Sequence, residues 1–135
     1  MKNYSISSVE RIKNREIFDQ VFKNGYVIKK YPLKVIWSYA EKNEEVPAKM
    51  GVCVSRRRFK QAVRRNYIKR RIKEAYRQNK TKLSHFLEEN NWHLYIVVVY
   101  VSDKLAEYER IEERMNEALD ELMRQLKKDS EILDQ

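Results

Sequence analysis

A chain of 135 residues with 42% hydrophobic residues and a net charge of +9 is long enough to fold as one domain with a modest core. Its single cysteine, Cys53, excludes an intrachain disulfide, and its longest apolar run, residues 94–101, is too short to span a bilayer. The amino terminus carries no apolar stretch typical of secretory signals, so we expect a soluble cytoplasmic protein that makes no membrane contact.

The charge is distributed unevenly along the chain. Residues 1–102 carry 23 basic and 9 acidic side chains, whereas residues 103–135 carry 6 basic and 11 acidic side chains. We expect the basic part to meet phosphate groups, and the acidic end to stay in solvent or to shield the basic surface of the chain itself.

The first residues, 1–13, are expected to form a flexible arm before a short first helix. Asn14 can cap the amino-terminal end of that helix. Phe18 and Phe22 follow four residues apart on one helix face, and Gly25 suits the position just after the helix end. By periodicity alone, the two phenylalanines are expected to belong to the core.

Extended segments follow the first helix. In residues 33–39, Leu33, Val35, Trp37 and Tyr39 alternate with Lys34, Ile36 and Ser38, which is typical of a half-buried strand. A further short strand can precede Pro32. Residues 49–55 are a second clear strand. Residues 94–101 are nearly all β-branched or aromatic, which predicts a central strand that is covered on both faces.

Two longer helices are predicted. A basic helix runs from about residue 59 to residue 80, and a terminal helix covers residues 103–128 with one apolar stripe along its length. Residues 129–135 are expected to form a frayed tail. Because glycine and proline are rare and no low-complexity linker interrupts the chain, residues 1–135 are predicted to form a single domain.

The basic helix is the most informative segment. Residues 56–77 contain eleven basic side chains and one acid, Glu74. In helical projection one side of this segment is apolar and is expected to pack on the sheet. That side consists of Ile68, Ile72, Ala75 and Tyr76. Nearly opposite lies a straight row of side chains without any acid. The row consists of Asn66, Arg70, Lys73 and Arg77.

Such a row predicts contact with a nucleic-acid backbone, because like charges at this density repel one another unless a polyanion neutralises them. Arginine makes forked bonds to phosphate and stacks on bases, and asparagine can bind a base edge or a 2′-hydroxyl. The plainer interpretation is a solvated charged face. The charge pattern favours nucleic acid, but it does not distinguish RNA from DNA.

The order of these residues resembles the protein subunit of bacterial ribonuclease P. That family carries an arginine-asparagine-arginine signature on its basic helix, which Arg65 and Asn66 match, while Tyr67 replaces the second arginine. Further matches around the signature are Arg56, Arg57, Ala62, Lys69, Arg70, Lys73, Ala75 and Tyr76. The first helix of the family is matched by Phe18, Val21, Phe22, Lys23 and Gly25. The likeness covers roughly residues 10–126.

The resemblance implies an α/β (α+β) fold, a two-layer sandwich of a four-stranded sheet with packed helices that is similar to ribosomal proteins. It also implies a left-handed β-α-β crossover, against the usual right-handed preference. The chain is then a single RNA-binding domain that holds the catalytic RNA of ribonuclease P. The residues expected to bind RNA are Arg56, Arg57, Lys60, Arg64, Arg65, Asn66, Tyr67, Lys69, Arg70, Lys73 and Arg77.

A second surface implied by the resemblance is a cleft between the first helix and the sheet. In the family this cleft holds the single-stranded 5′ leader of precursor tRNA, and aromatic side chains there stack on bases without strong sequence preference. The residues expected to line it are Phe18, Phe22, Lys34 and Ile36. The implied function is tRNA 5′ maturation by an endoribonuclease that removes the leader, with the catalytic RNA and precursor tRNA as partners and no DNA partner.

The sequence offers no candidate catalytic residues. No carboxylate pair or nucleophile–base arrangement stands out, and His85 and His93 lack the spacing of a metal site. The resemblance assigns the hydrolysis to the RNA subunit, which uses Mg²⁺, and we expect no cofactor bound by a motif of this chain. The alternative is a non-catalytic structural RNA-binding protein such as a ribosomal protein.

Overall fold

A computed structural model describes residues 10–40 and 45–133, with side chains described as far as residue 131. In chain order the elements are α1 (Arg15–Asn24), β1 (Tyr26–Lys30), β2 (Leu33–Tyr39), β3 (Ala48–Val54), α2 (Ala62–Asn79), α3 (Thr81–Asn90), β4 (Leu94–Tyr100) and α4 (Tyr108–Leu133).

The four strands form one mixed sheet in the order β1-β2-β4-β3. The pairs β1–β2 and β2–β4 are antiparallel, whereas β3 and β4 are parallel. Because α2 and α3 connect these two parallel strands, the chain contains a β-α-β crossover. The predicted four-stranded α+β sandwich is therefore confirmed, and the left hand of the crossover stays a prediction.

The strand β4 lies inside the sheet, as its composition predicts. Every residue of β4 except Val99 is buried, and the strand has a neighbour on each side. A run of β-branched and aromatic residues suits such a position, because both faces of the strand lie against other elements.

The two faces of the sheet are covered unequally. Helices α2, α3 and α4 cover the face that carries Val35, Trp37 and Val98, and they form the main core with it. Among the described helices, only α1 lies on the opposite face, where Val21 and Val97 belong to a smaller cluster. The larger core therefore lies on one face, and on the other face the described residues leave Lys29 exposed.

The helix α3 was not predicted from the sequence. It follows α2 after the single residue Lys80, and no side chain caps its first turn. Its core contacts are Leu83 and Leu87, which lie four residues apart and are both buried. It ends at Asn91, whose φ of 54° is left-handed. The predicted basic helix, about residues 59–80, corresponds to α2 alone, and α3 is an additional helix beyond its end.

The terminal helix α4 begins and ends later than the predicted range of 103–128. The chain bends before it, where the Tyr100 hydroxyl donates to the Lys104 carbonyl oxygen at 2.5 Å and accepts from the Ala106 amide at 2.9 Å. At the other end, the Tyr39 hydroxyl donates to Asp129 at 2.7 Å. The helix therefore continues through residues that were expected to fray, while residues 134 and 135 lie outside the described part.

Part of the expected amino-terminal arm is placed against the sheet. The Ile12 amide donates to the Met50 carbonyl oxygen at 3.0 Å, and Arg11 forms a parallel bridge with Met50. Glu10 forms an ion pair with Lys80 at the junction of α2 and α3. Residues 10–12 thus extend the sheet beyond β3, and residues 1–9 lie outside the described residues.

Candidate nucleic-acid interface

The helix α2 has the two faces that its sequence predicts. Its buried residues on the core side are Ile68, Ile72, Ala75 and Tyr76. On the other side Asn66 and Arg70 are exposed, and Lys73 and Arg77 are half-buried. The structure therefore presents the predicted row on the surface, with its amino-terminal half more accessible than its carboxyl-terminal half.

Arg77 at the end of this row is held by an acid on its own helix. Its Nε donates to Glu74 Oε2 at 3.1 Å, and only 14% of its side chain is exposed. Hydrogen bonding by Arg77 lowers the pKa of the Glu74 carboxyl group, and Gln78 donates to the same carboxylate at 3.1 Å. Glu74 therefore neutralises the cation at the end of the row.

Lys73 lies where several cations converge. Burial lowers the pKa of its ammonium group, and the nearby charges of Arg11 and Lys69 lower it further. Positive charge gathered in this way raises the local potential, which favours an anion such as a phosphate group. Arg11 comes from the segment before α1, so the cationic surface extends from α2 toward β3.

The turn before α2 depends on Arg65. Its Nη1 donates to the carbonyl oxygens of Phe59 at 2.8 Å and Lys60 at 2.9 Å, and Phe59 is buried with its ring centroid 5.9 Å from that of Tyr100. Arg65 is therefore a structural residue as well as a predicted RNA contact. The other predicted contacts in this region are exposed, namely Arg56, Arg57, Lys60 and Arg64.

Tyr67 forms a cation–π pair on the flank of α2. The guanidinium carbon of Arg71 lies 4.2 Å from the centre of the Tyr67 ring, and the two side chains are also hydrogen-bonded. A tyrosine here cannot bind phosphate as a cation, but it offers an aromatic face that is already paired with an arginine.

On the opposite surface, α1 and the sheet bring predicted cleft residues together. Phe22 is 46% exposed, and the Lys34 ammonium nitrogen lies 6.0 Å from the centre of its ring. Phe18 is partly buried on the same helix and packs against the cluster that contains Val21. An exposed ring beside a cation is suited to a nucleotide, because the base can stack and the phosphate can pair with the ammonium group.

The structure corrects the placement of Ile36 among the cleft contacts. Ile36 is 1% exposed, because α1 lies directly over it and Val21 and Val97 pack beside it. It supports the cleft from below and does not line it. The resemblance places an RNA-contacting position here, and only the packing of α1 shows that the side chain is covered.

Sequence reasoning named only Lys34 from the floor of the cleft. The strand register places Lys29, Lys34, Val99 and Cys53 opposite one another across all four strands. Because directly opposed residues share a face, these four side chains form one row, here called the open row, on the side of the sheet that carries α1. Lys29 is exposed and the other three are half-buried. Cys53 therefore lies outside the main core. Only the pairing of Lys29 with Lys34 across β1 and β2 identifies Lys29 as part of this row.

Clusters of metal-binding side chains are not found in residues 10–40 and 45–133. No three His, Cys, Asp or Glu side chains among them are arranged to hold a metal ion. His93 is occupied by the chain itself, with Nδ1 3.0 Å from the Val46 carbonyl oxygen. None of the described helices combines the length and apolar character that crossing a bilayer requires.

Comparison with known proteins agrees with this arrangement. A model of the family described as Ribonuclease P matches residues 6–127. A protein of Porphyromonas gingivalis named "Ribonuclease P protein component" is 34% identical over 116 residues, which are 86% of this chain and 85% of that protein.

Solved structures share the fold. The RNase P protein from Thermotoga maritima superposes with a TM-score of 0.61 at 23% identity, over 78% of this chain and 91% of that one. A mutant RNase P protein of Staphylococcus aureus superposes with a TM-score of 0.63 at 22% identity, over 84% and 88% of the two chains. The family match, the relative and the shared fold together show that this chain belongs to the ribonuclease P protein family.

Proposed function

We propose that this chain is the protein subunit of ribonuclease P and promotes the endonucleolytic removal of 5′ leaders from precursor tRNAs. One observation supports this proposal above the others. The described domain carries an acid-poor cationic helix on one side and an accessible aromatic cleft on the other, where the Lys34 ammonium nitrogen lies 6.0 Å from the centre of the Phe22 ring. Two RNA-binding surfaces suit a protein that must hold two RNAs at once.

The proposed surface for the catalytic RNA is the exposed part of α2. Asn66 and Arg70 lie next to each other on one exposed face. Lys73, together with the nearby charges of Arg11 and Lys69, makes the electrostatic potential beside them more positive. Arginine and lysine here bind phosphates, which supplies affinity without sequence preference and makes that affinity salt-dependent. The asparagine can bind a base edge or a 2′-hydroxyl, a group that DNA lacks, so we propose RNA and no DNA as the partner.

The proposed surface for the leader is the cleft formed by α1 and the open row. Phe22 stacks on a leader base, and Lys29 and Lys34 on the floor pair with its phosphates. Phe18 holds α1 over β3, as its partly buried position indicates. Stacking on an aromatic face tolerates any base, which suits an enzyme whose substrates carry leaders of different sequence.

We assign the hydrolysis to the RNA subunit and its Mg²⁺. Within the described residues no three His, Cys, Asp or Glu side chains are arranged to hold a metal ion, and no nucleophile–base arrangement stands out in the sequence. The contribution of the chain is to bind the leader and to lower the repulsion between two RNAs. We place this activity in the cytoplasm, where tRNA precursors of a bacterium are made and processed.

Reconstitution tests the proposal. The purified chain is mixed with a ribonuclease P RNA and a precursor tRNA at low Mg²⁺, where the RNA alone cleaves poorly. We expect the chain to stimulate cleavage at the leader junction, and the chain without added RNA to be inactive after RNase treatment. Binding to both RNAs without stimulated cleavage would instead favour a structural RNA-binding protein and would contradict the proposal.

A further inference from the structure

A second concave surface lies on the side of α2 that faces α4. It is an open groove of about 550 Å³, within the range of roughly 300–1,000 Å³ that ligand sites occupy. Its walls combine aromatic, cationic and carboxylate side chains from the two helices. Six of its lining residues are Tyr67, Arg70, Arg71, Glu74, Tyr108 and Glu112.

The charge of this groove differs from that of the neighbouring surface. The lining places two carboxylates, Glu74 and Glu112, beside Arg70 and Arg71, whereas the outer face of α2 is strongly cationic. A phosphate inside the groove would be repelled by the carboxylates. A neutral, flat group with hydrogen-bond donors fits better, and a nucleobase is such a group.

The platform for a base is present at Tyr67. Its ring is paired with Arg71, whose guanidinium carbon lies 4.2 Å from the ring centre, and Tyr108 lines the same groove. Bases that are splayed out of single-stranded RNA stack on aromatic rings and on arginine planes. Arg70 lies both in the cationic row and at the groove, so the phosphate of the same nucleotide can stay outside while its base enters.

The carboxylate available to such a base is that of Glu112. Glu74 already accepts hydrogen bonds from Arg77 and Gln78. Glu112 accepts from Tyr108, an interaction that raises the pKa of the tyrosine hydroxyl together with its burial, which is the larger cause. Since a carboxylate has about four acceptor positions, Glu112 keeps capacity for further donors.

The pattern of those donors selects among the bases. Guanine presents two adjacent donors, its ring N1–H and its N2 amino group, and a carboxylate can accept both. Cytosine and adenine place a ring acceptor beside their amino group, and uracil flanks its one N–H with two carbonyl oxygens, so each would turn an acceptor toward Glu112.

We propose that the groove between α2 and α4 holds an unstacked guanine of the RNA partner, with its ring on Tyr67 and its Watson–Crick edge toward Glu112. This inference rests on the proposed RNA-binding function and adds a base-specific contact to it. Tyr67 stands where the resemblance places an arginine, so this chain has an aromatic platform where a cation is expected.

The test uses the full-length protein and two single-stranded RNA pentanucleotides, UUGUU and the same sequence with inosine in place of guanine. Inosine keeps the ring N1–H but lacks the amino group. We expect the guanine oligonucleotide to bind about tenfold to a hundredfold more tightly, as for the loss of one hydrogen bond to a charged group. Amide shifts in an NMR titration should concentrate at Tyr67, Tyr108 and Glu112, and should be small at Phe22.

Two variants complete the test. Glu112→Gln should bind both oligonucleotides equally. Glu113→Gln removes the same charge from the next, exposed residue of α4 and should keep the preference for guanine. Circular dichroism melts of both variants serve as the control that each one is folded.

Equal binding of the two oligonucleotides by the unmodified protein, or the same loss of preference in both variants, would overturn the inference. Because stimulated cleavage of precursor tRNA is measured separately, a protein that stimulates cleavage without any preference for guanine would refute the groove and leave the proposed function standing.

Discussion

The ring of Phe18 lies so close to Gly51 that a Cβ atom on the glycine would be 2.8 Å from Phe18 Cε2 and 3.1 Å from Cδ2. This contact joins α1 to β3, at the row of residues next to the open row. It sets how near α1 lies to the sheet, and therefore the width of the proposed leader cleft.

Gly51→Ala should lower the free energy of unfolding by about 1–3 kcal/mol, because the added methyl group overpacks the contact with Phe18. Urea unfolding measures the loss. The double variant Phe18→Leu/Gly51→Ala should lose less than the sum of the two single variants, since the smaller side chain makes room. Strictly additive losses would show that the two residues do not restrain each other.

Arg65→Ala should destabilise the domain by about 1–2 kcal/mol, because two carbonyl oxygens of the turn before α2 lose a charged donor. Arg64→Ala is the matched control, since Arg64 is the preceding residue and is exposed. Its unfolding free energy should change by no more than about 0.5 kcal/mol. Thermal melts of the two variants distinguish them, and equal melting temperatures would rule out the structural role of Arg65.

Arg70→Ala should weaken binding to the catalytic RNA and reduce the slope of log K against log salt by about 1, as expected for one lost phosphate contact. Stability should stay nearly unchanged, because Arg70 is exposed. Filter binding across a salt series gives the slope. Lys128→Ala removes an exposed cation from α4 and should leave the slope as it is, so an identical slope in all three proteins would place Arg70 outside the interface.

Tyr76 predicts a loss of stability at alkaline pH. Burial raises the pKa of its hydroxyl, and the charge of Glu10 raises it further. A group whose pKa is higher in the folded state stabilises the fold below its unfolded pKa, about 10 for tyrosine, and loses that contribution as the pH rises above it. The free energy of unfolding should fall between about pH 9 and pH 11 in both proteins. The fall should be about 1 kcal/mol smaller in Tyr76→Phe than in the unmodified protein.

Urea midpoints at the two pH values provide the measurement for Tyr76. Tyr31→Phe is the control, because the ring of Tyr31 is exposed. Parallel declines in the unmodified protein and in Tyr76→Phe would contradict the prediction.

Sequence periodicity was sufficient to identify which side of a helix or strand is apolar, but not which other element covers that side. The spacing of Ile68, Ile72 and Tyr76 identifies the buried side of α2, because a helix repeats every 3.6 residues whatever its partner. Ile36 shows the limit. Alternation along β2 places Ile36 on the other face of the sheet from Val35. Whether that face is open depends on α1, which packs from an earlier part of the chain.

Gly25 shows a similar limit. The sequence places Gly25 just after the helix end, where a left-handed backbone is common, yet its φ is −74°. The glycine is required by close approach instead, since a Cβ atom would lie 2.6 Å from the Val21 carbonyl oxygen and 2.8 Å from that of Trp37. The sequence also failed to reveal α3, because no capping side chain marks its start. What distinguishes α3 from a continuation of α2 is its own packing through Leu83 and Leu87, which is a tertiary feature.

The central claim is that two surfaces of one domain hold two different RNAs. The most direct measurement compares Phe22→Ala and Arg70→Ala in parallel. It determines the affinity of each variant for the catalytic RNA, and the affinity of each reconstituted holoenzyme for precursor tRNA with and without its leader. Phe22→Ala should bind the catalytic RNA normally and lose about 1–3 kcal/mol of binding only for the leader-bearing RNA. Arg70→Ala should weaken assembly and leave the difference between the two substrates intact. A lowered melting temperature of Phe22→Ala, with equal losses for both substrates, would show that Phe22 is a core residue and would contradict the account.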